Sequence, residues 1–165
     1  MTEKRIYDML FLKENFEMEK TMEIKVKKLN DLAVLPHYGS DFAAGADLYA
    51  AEKEAVTILP GETKLVHTGL AMEIPAGYGG FIYARSGLAS KRGLAPANKV
   101  GVVDADYRGE IMVALYNQST VPQTVEAGER IAQLVIAPFL KAEYTFADAL
   151  SDTVRGEGGF GSTGK

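Results

Sequence analysis

The sequence predicts an all-β domain of the sandwich, jelly-roll or barrel kind, and three observations carry that expectation. Apolar and polar residues alternate in short runs such as Ile24-Lys25-Val26-Lys27, the period of a half-buried strand. Turn signals separate the runs at Pro60-Gly61, Pro75-Ala76-Gly77, Arg108-Gly109 and Ala127-Gly128, a spacing typical of all-β folds. Glycine is abundant, 17 of 165 residues against 6 prolines, and it shows no G-X-Y period. The excess therefore means tight turns or one glycine-dense segment, and collagen is excluded.

Taken in order, residues 1–21 stand apart: nine are charged and none is Gly or Pro. Ile6, Leu10 and Phe16, with Tyr7 and Phe11, form a loose helical stripe that Met9 to Leu12 interrupts by being apolar all round. This predicts a peripheral extension, helical or disordered, before a β domain over 22–150. Within that domain Val56 to Leu59 reads as a strand ended by its Pro-Gly turn. Thr63 to Ile74 reads as strand broken at Gly69. Gly80 to Ala84, Ile111 to Asn117 and Arg130 to Ala137 are three more. One short helix is expected near Ser86 to Lys91. Residues 151–165, SDTVRGEGGFGSTGK, carry few large apolar side chains, too few to offset ordering entropy, and predict a flexible glycine-rich arm.

Several function classes fall on composition alone. With no cysteine there is no disulfide framework, thiolate metal site or cysteine nucleophile, which fits a reducing compartment. No apolar run approaches the ~18 residues of a membrane span, and the N-terminal apolar stretch is short and flanked by acids, unlike a secretory signal. A cytoplasmic protein is expected, with no membrane partner. A net charge of −4 argues against nucleic-acid binding, which needs a broad basic face. An anionic small ligand would need its cations gathered locally.

Five segments carry candidate chemistry. AGADL places Asp47 just inside a strand, although a turn Asp is the commoner reading of such a residue. ARSGLA puts Arg85, Ser86 and Gly87 at a strand-to-helix junction, where a guanidinium, a hydroxyl and free amides suit phosphate oxygens. GVVDADYRGE sets two acids, an aromatic and an arginine between glycines, as a β-hairpin tip would. GERIAQL carries one polar side chain, Gln133, in an apolar run, as a satisfied core amide often does. The tail GFGSTGK matches the P-loop pattern, but neither a following Ser/Thr nor a helix comes after Lys165, so a P-loop NTPase is rejected. Glycine amides with Ser162 and Thr163 could still wrap phosphates as a flap.

In order, AGADL, ARSGLA, GVVDADYRGE, GERIAQL and RGEGGFGSTG resemble the five motifs of the trimeric dUTPase family, over roughly Met22 to Lys165. The resemblance implies a jelly-roll-like homotrimer that hydrolyses dUTP to dUMP and pyrophosphate with Mg2+, its active sites shared between subunits. It implies that Asp104 activates the attacking water, while Asp106 is structural. Asp47 would support the metal through water, with no direct protein ligand. Arg85, Ser86, Gly87 and Gln133 would bind phosphate. Asn98, Gly101, Val103 and Tyr107 would form the uracil and deoxyribose pocket. Arg155, Phe160, Gly161, Ser162 and Thr163 would close over the nucleotide. Two rivals share the resemblance: a dCTP deaminase of the same superfamily, and a regulatory dUTPase-like protein acting through a partner.

Overall fold

The computed structural model describes residues 21–159. Apart from Thr21, the expected extension lies outside the described residues, as does the arm from Phe160 on. The described chain is β throughout, with twelve strands and one short helix. The strands are β1 (Lys25–Lys28), β2 (His37–Tyr38), β3 (Ala46–Tyr49), β4 (Val56–Ile58), β5 (Thr63–His67) and β6 (Leu70–Glu73). After β7 (Tyr78–Tyr83) comes helix α1 (Ser86–Arg92), then β8 (Leu94–Pro96), β9 (Gly101–Val103), β10 (Met112–Asn117), β11 (Gln123–Val125) and β12 (Arg130–Pro138). All pairings are antiparallel. A five-stranded sheet in the order β2-β3-β12-β7-β9 faces a three-stranded sheet β5-β10-β8, with the pairs β1-β6 and β4-β11 beside them.

Alternation sets which side chains meet. In β10, Val113, Leu115 and Asn117 are buried while Met112, Ala114 and Tyr116 are partly exposed, the period of two that one buried face demands. Leu115 joins Leu48, Ile58, Val66, Leu94, Val125 and Ile131 in a core drawn from both main sheets. Asn117 is the polar member, and its amide is satisfied: Nδ2 donates to the carbonyls of Ile58 (2.9 Å) and Val121 (2.8 Å), and Oδ1 accepts from the Ser119 N–H (2.9 Å). A buried amide left unpaired would cost about 1–3 kcal/mol.

Helix α1 buries Leu88 and closes at Gly93, whose N–H reaches the Ala89 carbonyl at 3.1 Å. Arg92, in its last turn, bonds Glu129, the Thr124 carbonyl and Gln123. That network ties the helix to β11 and to the turn before β12.

One expectation is corrected. Gly101 to Gly109 is not the tip of a simple hairpin. β9 pairs with β7 in the larger sheet, whereas β10 pairs with β5 and β8 in the other. The glycines permit a loop that passes from one sheet to the other, not a two-strand ladder. Asp47 lies within β3, where the sequence places it, and is buried there rather than set in a turn. Beyond β12, Leu140, Tyr144, Phe146 and Leu150 are almost fully exposed, so this segment leaves the chain's own core.

Candidate functional site

The site grows from one row of residues across the larger sheet. His37, Asp47, Gln133 and Tyr83 are register partners on β2, β3, β12 and β7, and directly opposed residues share a face. Asp47 is buried, yet its carboxylate is fully engaged. Oδ1 accepts from Arg85 Nε at 2.8 Å and Oδ2 from Arg130 Nη1 at 3.2 Å. A buried carboxylate needs such partners; Arg85, the more buried of the two, and the half-exposed Arg130 make this acid tolerable here. They also outnumber it, two positive charges to one negative. An acidic chain thus carries a local cationic cluster.

Arg85 lies just before α1 in extended conformation, φ −80° and ψ 128°. Ser86 and Gly87 open the helix and are exposed, and a Cβ on Gly87 would meet nothing within 4 Å. A Cβ on Gly45 would come 3.1 Å from Gln133 Cβ, so glycine there keeps the backbone close beside that amide. Together these place Asp47, Arg85 and Gln133 in one region, with Ser86 and Gly87 next to Arg85.

Asp104 is placed elsewhere. Gly101 lies opposite Ile82 and Val103 opposite Gly80, so β9 runs away from the Arg85 end of β7. Asp104 follows Val103, which lies opposite Gly80 near the start of β7, whereas Arg85 comes after the other end of that strand, beyond Tyr83. Asp104 is exposed, and its carbonyl accepts the Tyr107 N–H at 3.1 Å. Asn98, in the loop entering β9, is exposed, with its Nδ2 3.4 Å from where a Gly101 Cβ would sit. Val103 is buried in β9. Asp106 is exposed. Arg155 is exposed and bonds the Gly158 carbonyl at 2.7 Å. Phe160, Gly161, Ser162 and Thr163 lie outside the described residues. A single chain therefore gathers the phosphate-type groups at one place and the acid with the aromatic at another.

A dUTPase family model matches residues 31–164. The chain belongs to the dUTPase family. A deoxyuridine 5'-triphosphate nucleotidohydrolase of Desulfitobacterium hafniense (strain DSM 10664 / DCB-2) is 56% identical over 131 residues, 79% of this chain and 87% of that protein. One of Nautilia profundicola is 53% identical over 144 residues, 87% of this chain and all of the relative. Among solved structures, the Staphylococcus bacteriophage 80alpha dUTPase with dUPNHPP superposes with a TM-score of 0.77 at 31% identity, over 88% of this chain and 100% of that one.

Within this dUTPase-family chain two residues escaped sequence reasoning. Arg130 sits three residues before Gln133, the wrong parity for a shared strand face. A bulge between Arg130 and Ala132 inserts one residue, leaving Arg130 opposite Tyr49 and Gln133 opposite Asp47. The bulge resets the alternation and brings both onto one face. Glu110 is the other. Its Oε1 accepts the Gly69 N–H at 2.8 Å and its Oε2 pairs with His67 Nδ1 at 2.9 Å.

That pair makes stability depend on pH. The hydrogen bond to Glu110 raises the His67 pKa above 6.5; desolvation opposes it, and the charges of Glu110 and Glu52 assist. A raised folded-state pKa stabilises fully below 6.5 and loses that contribution as pH rises through the folded value. His67 is half exposed, so solvent screening keeps the effect small. His67→Gln is expected to lower the thermal midpoint more at about pH 6 than at about pH 9. Calorimetry showing equal losses at both would remove His67 from the account.

Proposed function

We propose that this chain hydrolyses dUTP to dUMP and pyrophosphate. The observation that carries the reading is the cluster of Asp47, Arg85, Arg130 and Gln133: two guanidinium groups held by a buried carboxylate on a rigid sheet. Such a cluster binds phosphate oxygens with geometry fixed in advance. Ser86 and Gly87 would add a hydroxyl and amides, and Arg155 with Phe160, Gly161, Ser162 and Thr163 would close over the nucleotide. The family and the names of its relatives supply the substrate class, and the phage enzyme solved with dUPNHPP supports a triphosphate occupant.

In the reaction Asp104 orients a water and takes its proton as the oxygen attacks the α-phosphorus in line, with pyrophosphate leaving. Asn98, Gly101 and Val103 would hold uracil by backbone and amide groups. Those groups mismatch cytosine and leave no room for a 5-methyl. Tyr107 would pack on the deoxyribose and exclude a 2′-hydroxyl.

Among the described residues no three His, Cys, Asp or Glu side chains cluster to hold a metal, and Asp47 already accepts from two arginines. This donor set fits Mg2+ carried on phosphate oxygens and waters, with Asp47 reached through water. Bound there, the ion supplies charge neutralisation on the phosphates.

A homotrimer with shared sites follows from the same reading. The placement of Asp104 and Arg85 beyond opposite ends of β7 supports completion of each site by another copy. The apolar side chains exposed after β12 support a segment that packs on a neighbour. The domain boundaries at residues 21 and 150, and a cytoplasmic location, belong to this proposal. No helix among the described residues is long and apolar enough to cross a membrane.

The deciding experiment measures pyrophosphate release from dUTP, dCTP, dTTP and UTP, with Mg2+ and with chelator. Expected is turnover of dUTP at least about 100-fold above the others, and loss of it on chelation. Ammonia release from dCTP would establish the deaminase instead, and no turnover of any nucleotide would favour a regulatory protein.

A further inference from the structure

We propose that Glu110 is the positioning residue that fixes Tyr107, and through Tyr107 the preference of the site for a deoxyribose. The inference rests on the reading of Tyr107 as the sugar-packing side chain.

The loop from Asp104 to Gly109 passes between two sheets, and no ladder of either sheet holds it. Its aromatic is exposed, so burial does not fix it either. What fixes Tyr107 is a hydrogen bond at each end. Its N–H donates to the Asp104 carbonyl at 3.1 Å, and its hydroxyl donates to the Glu110 carbonyl at 2.9 Å. The ring thereby lies over Gly109 so closely that a Cβ there would overlap it. Arg108 adds nothing outside the loop, since its guanidinium folds back onto the Ala105 and Tyr107 carbonyls.

The Glu110 carbonyl is consequently the outer anchor of the ring; the Ile111 N–H pins its peptide from one side, and the Glu110 side chain adds a second hold. Its carboxylate grips the turn between β5 and β6 from both sides, at His67 Nδ1 and at the Gly69 N–H. That turn is itself rigid. Gly69 has φ +66°, and a Cβ there would come within 2.8 Å of Ala33 and Asn30, so the backbone packs closely on both. Thr68 Oγ1 donates to the Ile111 carbonyl at 2.5 Å and the Ile111 N–H to the Leu70 carbonyl at 2.8 Å, which seats the residue after Glu110 on the same turn. A chain of short bonds thus runs from the core turn, through Glu110, to the hydroxyl of Tyr107. Charge-assisted bonds of this kind are stronger than neutral ones, and a displacement near 1 Å can cost about 100-fold in rate.

The test compares kcat/KM for dUTP and UTP in Glu110→Ala, Glu110→Gln, Tyr107→Phe, Tyr107→Ala and the double variant Glu110→Ala/Tyr107→Phe. Glu110→Ala is expected to lower the dUTP-to-UTP preference about tenfold, chiefly through KM. Glu110→Gln keeps an acceptor for the Gly69 N–H and should stay within about threefold of the parent. Tyr107→Phe should resemble Glu110→Ala, and the double variant should lose no more than either single change, since both cut one connection. Additive losses in the double variant, or a glutamine variant as damaged as the alanine one, would overturn the proposal. If Tyr107→Ala collapses the preference while Glu110→Ala and Tyr107→Phe leave it intact, the anchor fails but the reading of Tyr107 stands. If Tyr107→Ala leaves the preference intact, the reading itself fails, and this inference with it. Should the alanine variant not fold, Glu110→Met, which keeps the side chain's length without its acceptors, takes its place under the same expectations.

Discussion

Asp104→Asn is expected to lower kcat for dUTP by about 10²- to 10⁴-fold, the range a positioned general base contributes, with nucleotide affinity nearly unchanged. Asparagine retains the size of the side chain and one oxygen that can orient water. It cannot take the proton. The fold should not register the change: Asp104 is exposed, and its only described bond is made by its carbonyl to the Tyr107 N–H. Phosphate binding should register it little, because Arg85, Arg130 and Gln133 supply the phosphate contacts while Asp104 addresses the water. Turnover by pyrophosphate release and affinity by calorimetry with a non-hydrolysable dUTP analogue would separate the two effects. Turnover equal to the parent would remove Asp104 as the base.

The second large effect is a gain. Arg85→Ala and Asp104→Asn should each be nearly inactive alone, yet mixing the two after reversible dissociation should restore activity. In a closed ring of three, a site taking Arg85 from one copy and Asp104 from the next is intact when the first copy is the Asp104 variant and the second the Arg85 variant. Random assembly from equal amounts makes about a quarter of the sites whole. Recovery near that fraction would establish sharing. No recovery in mixtures that light scattering shows to have exchanged subunits would place both groups in one chain's site.

Long or alternating segments were readable without coordinates. Thr63 to Ile74 announced two strands through the glycine between them, and Arg130 to Ala137 announced β12. β2, β8 and β11 have two or three residues each, too few to display a period, and owe their existence to a partner strand. The departure of β9 from β10 was hidden for another reason: glycines mark that a chain turns, not which sheet receives it. Asp47, Arg85 and Gln133 were legible because the family motifs contain them. Arg130 lies in the motif GERIAQL too, but its place beside Asp47 was hidden, since a bulge alters parity without altering composition. Glu110 carried no signal of its own in the sequence; its partners, His67 and Gly69, lie some forty residues earlier and become neighbours only through the pairing of β5 with β10.

The opposed ends of β7 have a further consequence. A sheet strand is stiff, so β7 keeps the chain segments that carry Arg85 and Asp104 at its two ends. On the proposed assembly a newly made chain is inert until it finds its copies, and specific activity becomes a gauge of association. Diluting the enzyme should then silence it before it unfolds, and a substitution far from any nucleotide, at the exposed Leu140 or Phe146, could mimic a catalytic lesion at low concentration and vanish at high.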